Sequence, residues 1–560
     1  MRGILILGAL MAAGLAAAPV AATAGPETGP AGHPPAHAAP ASQLPLATPL
    51  PGAAAGIASA YGGTPIDVTT YHYDNNRTGW NPAETDLTPA TVSSAKFGLL
   101  TTLAVDGNVL AQPLLVSNFS LAGVLRDILI VATGHDTVYA FDARTYALIW
   151  KVSLGRSQKS GDIGCNDVIP EYGISSTPVI VRSGPGSATL YVVSAVEPAP
   201  GQFHSYLHAL NIATGRDIKA AVEIAPSATL QNGATVSFDP KNQWSRASLA
   251  LGSGGIYVSI GAHCDNNSYG ATGWLLKYSP TLALVDAFHT IETPRGLELA
   301  SIWMSGFAPA IDASGNVFVV TGNGGFASAG EDYGESVLKL SPGLADPPLA
   351  RFTPADYASL NQGDIDLGSG GVMLLPAVAG QTAPPLAVAM GKDANFYLFN
   401  QQTLGGIAAG DTTPIQTLRL GSNYGGLWGG PAFYDGPAGP TVFVQINGDV
   451  LRAFSVATGA APGLKDAVNG TSPGGFGGSI PIVSSNGVLA HTGVVWVIRR
   501  SSPVEIEAYD AQALGAPIFA ANIGPWSNPA HHNPFLTAME ANGRVYAPNY
   551  KSVSVFGLTP

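Results

Sequence analysis

An eight-bladed β-propeller is the fold class this sequence predicts, and three observations predict it. A short hairpin pattern recurs eight times along the chain. One turn is copied nearly intact: Ala140-Phe-Asp142-Ala-Arg-Thr145 returns as Ala209-Leu-Asn211-Ile-Ala-Thr214-Gly215 and Ala453-Phe-Ser455-Val-Ala-Thr458-Gly459. Weaker copies are Leu398-Phe-Asn400-Gln-Gln-Thr403 and Ala508-Tyr-Asp510-Ala-Gln. A strand stands ahead of the first unit, and the last unit lacks its fourth strand, so joining the two closes a ring and removes both exposed edges. Seven blades is the alternative. Propeller function resides in the loops at a mouth of the central channel.

Taken in order, the chain opens as a secretory leader. Arg2 is the positive region, Ile4 to Val20 is apolar and rich in small residues, and Ala22-Thr23-Ala24 fits a cleavage site. Residues 1–24 are therefore expected to be a signal peptide, and the location periplasmic or secreted. No cysteine follows the apolar run, which argues against a lipid anchor. No later apolar run reaches the ~20 residues that span a bilayer, so no membrane span is expected after leader removal. Residues 25–65 are Pro, Ala, Gly and Thr with His33 and His37, a composition that buries no core and predicts a disordered linker. Residues 66–560 are expected to form one propeller domain.

Asp74-Asn-Asn-Arg77-Thr-Gly-Trp80 is a dense polar stretch just before the ring, and Arg77 is expected to tie the N-terminal segment to the rim, with reaching into a site as the alternative. Phe97-Gly-Leu-Leu-Thr-Thr-Leu-Ala-Val105 is the orphan fourth strand. First strands start near Gln112, Thr177, Ala247, Ala308, Gly371, Gly430, Ile480 and Leu536. These starts are roughly 50 to 70 residues apart, room for four strands and their loops. Second strands are short β-branched runs bounded by Gly, Asn and Asp: Ile128–Ala132, Leu190–Val193, Ile256–Ile260, Val317–Val320, Leu386–Ala389, Val442–Val444, Val494–Val497 and Val545–Ala547. The last unit ends at Val553-Ser-Val-Phe556.

Composition supports an extracytoplasmic β protein and excludes one function class. Only 11% of residues are charged, against about 25% in an average domain. The net charge of −12, with 25 Lys and Arg and no basic run, leaves no footprint for nucleic acid. The two cysteines, Cys165 and Cys264, are either a disulfide or two separately buried thiols. His263-Cys264-Asp265 lacks a second cluster with metal-ligand spacing.

Ala140-x-Asp142-x-x-Thr145-x-x-x-x-Trp150 resembles the tryptophan-docking motif of quinoprotein dehydrogenases, in which the Asp and Thr tie the turn and the Trp packs on the next blade. Tyr146 replaces the family's Gly, and only this copy keeps its Trp. Non-catalytic propellers, including outer-membrane assembly factors, share the motif. Val319-Val-Thr-Gly-Asn323-Gly looks like the segment whose Asn binds calcium beside pyrroloquinoline quinone (PQQ). Thr353-Pro354, then Asp364-Ile-Asp366-Leu, looks like the stretch whose last Asp is the catalytic base. Met390-Gly-Lys392 resembles the segment whose Arg or Lys contacts the cofactor, Trp303 stands near the family's stacking Trp, and Glu197 follows a second strand as the calcium-binding Glu does.

The resemblance implies a PQQ- and calcium-dependent dehydrogenase of a small alcohol or sugar. Asp366 would be its base, Trp303 and Lys392 would bind cofactor, and Glu197 and Asn323 would hold metal. A carboxylate base must reach the hydroxyl it deprotonates, and calcium takes hard oxygen ligands. The rival expectation is a non-catalytic propeller that binds a protein or glycan. In that case Asn323 is only a left-handed turn, Asp364 and Asp366 cap a loop, Lys392 sits in a polar hairpin, Trp303 packs a blade, and Glu197 is a solvated loop acid. Several family features are missing. Cys165 has no adjacent cysteine, and the His and Trp that accompany the family's base are absent. No C-x-x-C-H occurs, so no built-in haem is expected and electrons would go to a separate acceptor.

Overall fold

A computed structural model describes residues 44–50, 61–252, 254–265, 271–293, 299–326, 332–407, 414–526 and 535–559. The expected signal peptide, most of the expected linker, and His531 and His532 lie outside these residues. Eight antiparallel sheets follow one another as blades. Blade 1 is Leu114–Leu121, Val124–Ala132, Thr137–Asp142 and Leu148–Ser153. Blade 3 is Ala250–Gly252, Gly255–Ala262, Trp274–Tyr278 and Leu284–His289. Blade 4 is Ala310–Ile311, Val317–Val320, Val337–Leu340 and Ala350–Thr353, and blade 5 is Val372–Leu374, Leu386–Ala389, Asn395–Asn400 and Gln416–Arg419. Blades 2, 6 and 7 begin at Val179, Ala432 and Ile482. In blade 1 the second and third strands are largely buried, while the fourth, Leu148–Ser153, is half-exposed.

The ring closes as the sequence predicts, with eight blades rather than seven. Blade 8 is Met539–Ala541 and the long strand Arg544–Leu558, and Phe97–Asn108 from the N-terminal side completes it. Phe97 pairs with Leu558 and Ala104 with Ser552, antiparallel. The repeated turn has a physical cause. Asp142 Oδ1 accepts from the Arg144 and Thr145 amides, and Asn211, Asn400 and Asp510 accept in the same way from Ala213, Gln402 and Gln512. Trp150 docks on blade 2: its Nε1 donates to the Ile212 carbonyl at 2.9 Å. A Cβ on Gly215 would come within 2.5 Å of the Trp150 ring, so only glycine permits that approach.

One feature departs from the expectation. Arg77 is not at the rim but fully buried inside the ring, donating to Pro309 O, Thr70 Oγ1, Tyr71 O and Asp74 O. Its segment is hydrogen bonded to the innermost strand of every blade. Val68, Thr69, Asn75, Asn76, Thr78 and Gly79 pair through backbone or side chain with Leu115, Ile180, Leu251 and Ile311, Leu374, Phe433 and Val483. Tyr73 Oη reaches Glu540 O in blade 8. Tyr71 and His72 stack in the middle, and Phe307 meets both rings edge-on. Residues 68–80 thus plug the channel, and a channel ligand must use the mouth beyond Phe307. Part of the expected linker is also placed against the ring: Ala47 N donates to Asn522 O at 2.8 Å, and Leu50 N to Leu99 O at 2.9 Å.

Candidate functional site

First and second strands of a blade run antiparallel, so the loop entering the first and the loop leaving the second open on the same mouth. In blades 3, 4 and 5 the second strands end at Ala262, Val320 and Ala389. Three residues beyond each end stand Asp265, Asn323 and Lys392. The loops entering the first strands of blades 3 to 6 carry Arg246, Trp303, Asp364 with Asp366, and Trp428. The blade register therefore delivers these residues to one place.

Carboxylate oxygens of Asp265, Asp364 and Asp366 lie within 4.8 Å of one another. Lys392 Nζ donates to Asp364 Oδ1 at 3.0 Å and makes a very short contact with Asp366 Oδ2. Asp366 is fully buried, and its Oδ1 accepts from the Asn323 backbone N–H at 2.8 Å. Asn323 Nδ2 donates to Asp364 Oδ1 at 2.8 Å, while its buried Oδ1 has no hydrogen-bond partner among the described residues. A Cβ on Gly322 would come within 2.4 Å of Asp366 Oδ1 and 2.9 Å of Trp303 Nε1, so glycine is what lets the Asp366 carboxylate, the Trp303 ring and the turn meet. Lys392 Nζ lies 5.6, 5.8 and 5.9 Å from the ring centres of Trp303, Tyr424 and Trp428, within cation–π range. Cys264, Asp265 and Asp364 all have positive φ, at 47°, 42° and 53°. Such backbone is uncommon outside glycine and persists only where its surroundings impose it.

The charges do not balance locally. Three carboxylates face the Lys392 ammonium, with the Arg246 guanidinium acting on Asp265 and Asp366 through space, and burial penalises whatever is left uncompensated. Burial pushes the Asp366 carboxyl up against the opposing pull of Lys392. Burial, then the Asp366 charge, pushes Asp265 well above the usual carboxylate range. The same two causes raise Glu335, whose Oε2 accepts from the Leu367 amide. For Lys392 burial favours the neutral amine, but Asp366, Asp364 and Asp265 outweigh it and hold the ammonium above the ordinary lysine range. A carboxyl raised in the folded state favours folding when protonated. Its contribution is complete below the unfolded value near 3.8 and is lost as pH rises through the folded value. Hard oxygens with surplus negative charge, plus an unpartnered amide oxygen, fit a cation such as calcium.

Trp303, Asn323, Asp366 and Lys392 are thus brought together, but Glu197 is not. Among the described residues the fully buried Glu197 carboxylate accepts from the backbone amides of Gly201 at 2.9 Å and Lys159 at 3.3 Å, holding its own loop. It is neither a solvated acid nor a member of the acid group. Its place one residue past the second strand, rather than three, puts it out of the blade register. Asp265 stands at the register position instead. Asn323 does not have positive φ, so the left-handed-turn reading does not describe it. His135, at the same register position in blade 1, pairs with Glu171 at 2.8 Å.

Cys165 and Cys264 form a disulfide, with Cα atoms 5.7 Å apart across 99 residues of sequence. It ties the loop carrying Asp167 to the loop carrying Asp265. As a disulfide it offers no thiolate to a metal. Sequence reasoning also missed Arg246 and Arg500, both only 6% exposed. Arg246 lies 4.5 Å above the Trp303 ring and 4.2 Å from that of Phe535, and Arg500 lies 5.3 Å from Phe535.

No protein-family model matches the chain, and no curated protein matches it in sequence. Solved structures do. The quinohemoprotein alcohol dehydrogenase of Comamonas testosteroni superposes with a TM-score of 0.57 at 16% identity, over 88% of this chain and 80% of that one. A quinohemoprotein alcohol dehydrogenase of Pseudomonas putida HK5 gives 0.56 at 12% identity, over 88% and 80%. A europium-containing methanol dehydrogenase gives 0.56 at 11% identity, over 88% and 91%. The propeller resembles that of the quinoprotein dehydrogenases, and at these identities the likeness is one of fold.

Proposed function

We propose that this chain is an extracytoplasmic quinoprotein dehydrogenase that oxidises a hydroxyl of a small alcohol or sugar, using PQQ and calcium. The observation that carries the reading is the acid group itself. Asp265, Asp364 and Asp366 converge beside the Trp303 ring, with the Asn323 Oδ1 buried and unpartnered. Asp265, Asp366 and Asn323 would hold the ion through oxygen. When bound, the quinone would accept the hydride of the alcohol carbon, with calcium polarising its carbonyl.

The protein's own residues supply the rest. Asp366 is fully buried, whereas the Asp364 side chain is 36% exposed to the mouth. We therefore assign the proton-accepting role to Asp364 and a positioning role to Asp366. Asp364 would take the hydroxyl proton, and Lys392 would place positive charge beside the cofactor's carbonyl. Trp303, Tyr424 and Trp428 wall the site and limit water. Arg246 covers part of the Trp303 face, so a flat ligand must share that face with it. The absence of C-x-x-C-H supports a separate electron acceptor, and the Cys165–Cys264 bridge suits an oxidising compartment.

Titrating the metal-free mature chain with PQQ, with and without calcium, tests the assignment. Saturable binding that requires calcium and weakens at least about tenfold in Asn323→Ala is the expected result. No binding at high micromolar PQQ would overturn it and leave a propeller that binds a protein or glycan.

A further inference from the structure

We propose that Glu84 and Glu540 share a single proton as a carboxyl–carboxylate clasp, and that the clasp makes the seam between the channel plug and the ring-closing blade open as pH rises. Both side chains are fully buried. Glu84 follows the plug, with its N–H on Ser485 O at 2.9 Å. Glu540 is the middle residue of the first strand of blade 8, Met539–Ala541. The donors that reach the two acids are neutral. Glu84 Oε1 accepts from the Asp86 and Leu87 amides at 2.6 and 2.9 Å, and its Oε2 from the Gly543 amide of the blade 8 hairpin at 2.9 Å. Glu540 Oε2 accepts from Asn81 Nδ2 at 2.7 Å. Glu540 Oε1 is enclosed without a donor, and the Glu540 side chain meets that of Glu84 within hydrogen-bond reach.

Two carboxylates cannot hydrogen-bond to each other, because each only accepts, so one of the pair carries a proton. Glu84 already accepts from three amides, which leaves Glu540 as the acid that donates. Arg544, in the same hairpin, donates to Gly543 O at 2.7 Å and to the Tyr146 hydroxyl at 3.3 Å. The pair also faces Asp86 and the phenols of Tyr61, Tyr73 and Tyr546. Tyr73 Oη donates to Glu540 O and Tyr61 Oη to Ala83 O, so these two phenols hold backbone. Burial, then the Glu84 charge, holds the Glu540 carboxyl well above the usual carboxylate range. Its contribution to stability is complete below the unfolded value near 4.5 and is lost as pH rises through the folded value. Once the proton leaves, two buried negative charges confront each other, and the segment from Asn81 to Leu87 loses its hold on blade 8. That segment leads from the plug towards Phe97–Asn108, the strand that closes the ring.

The clasp stands apart from the metal and quinone reading, and it is tested on the full mature chain without ligand. Amide hydrogen exchange at Leu87 and Gly543, read by mass spectrometry and corrected for its intrinsic pH dependence, is compared at pH 6 and pH 9 in the parent, Glu540→Gln and Glu84→Gln. In the parent, protection of both amides should fall at least about tenfold at pH 9. Glu540→Gln keeps an acceptor for Asn81 and gives Glu84 a permanent donor, so its protection should stay within about twofold between the two pH values. Glu84→Gln should lose protection at Gly543 at both, because an amide offers one oxygen where the carboxylate offered two. Parent protection that is indifferent to pH, or that falls as far in Glu540→Gln, overturns the clasp. Protection that a chelator removes and calcium restores also overturns it, since a cation would then hold the two acids. If Glu540→Gln does not fold, the parent decides alone, and pH-indifferent protection still overturns the proposal.

Discussion

Lys392→Ala should destabilise the metal-free protein by about 3–5 kcal/mol, because it removes one partner from a buried ion pair. Lys392 holds Asp364 and Asp366, and its side chain is only 7% exposed. Without it, three carboxylates face one another across 4.8 Å or less. The loss should be largest above neutral pH and shrink as pH falls, because protonation removes the repulsion that the ammonium had neutralised. Calcium should restore most of the stability, and should bind more tightly than to the parent protein, since ammonium and metal compete for the same oxygens. Urea denaturation at pH 5 and pH 8, with calcium and with chelator, measures each part. A loss under about 1 kcal/mol at pH 8 would mean that the acids are neutral and that no cation site exists.

Asp364→Asn should lower turnover by about 10²- to 10⁴-fold, the usual worth of a positioned general base. Asparagine keeps an acceptor for Lys392 and for Asn323 Nδ2, so PQQ and calcium binding should change little. Asp366→Asn should behave differently. It disturbs the bonds to Lys392 and to the Asn323 backbone, so it should weaken calcium binding and stability along with turnover. Steady-state kinetics beside calcium titration separates the two roles. Equal losses of turnover with unchanged calcium affinity in both variants would contradict the division of labour.

The fold was legible because its signals are local. β-branched second strands and Asp or Asn turns recur at blade spacing, and the lone strand at Phe97 matched the missing strand after Phe556. Much of the site was legible as well, since Asn323, Asp366 and Lys392 sit in loops adjacent to recognisable strands. Asp265 was harder to see because it follows a cysteine and looks like part of a weak metal motif. Only the strand end at Ala262 reveals its register. Glu197 was chosen for standing just past a strand, but that place turns its carboxylate onto the Gly201 and Lys159 amides. Arg246 and Arg500 carry no motif at all. What marks them is burial without a partner, a property of the assembled ring. The same holds for Arg77, whose polar surroundings read as surface until eight inner strands enclose them.

Calcium titration of the metal-free mature protein by calorimetry, at pH 5 and pH 8, tests the central claim most directly. One saturable site is predicted, tighter at pH 8 because the raised carboxyls of Asp265 and Asp366 must give up protons to bind metal. It should weaken at least about tenfold in Asn323→Ala. No heat of binding at millimolar calcium, or an affinity indifferent both to pH and to Asn323, would contradict the account.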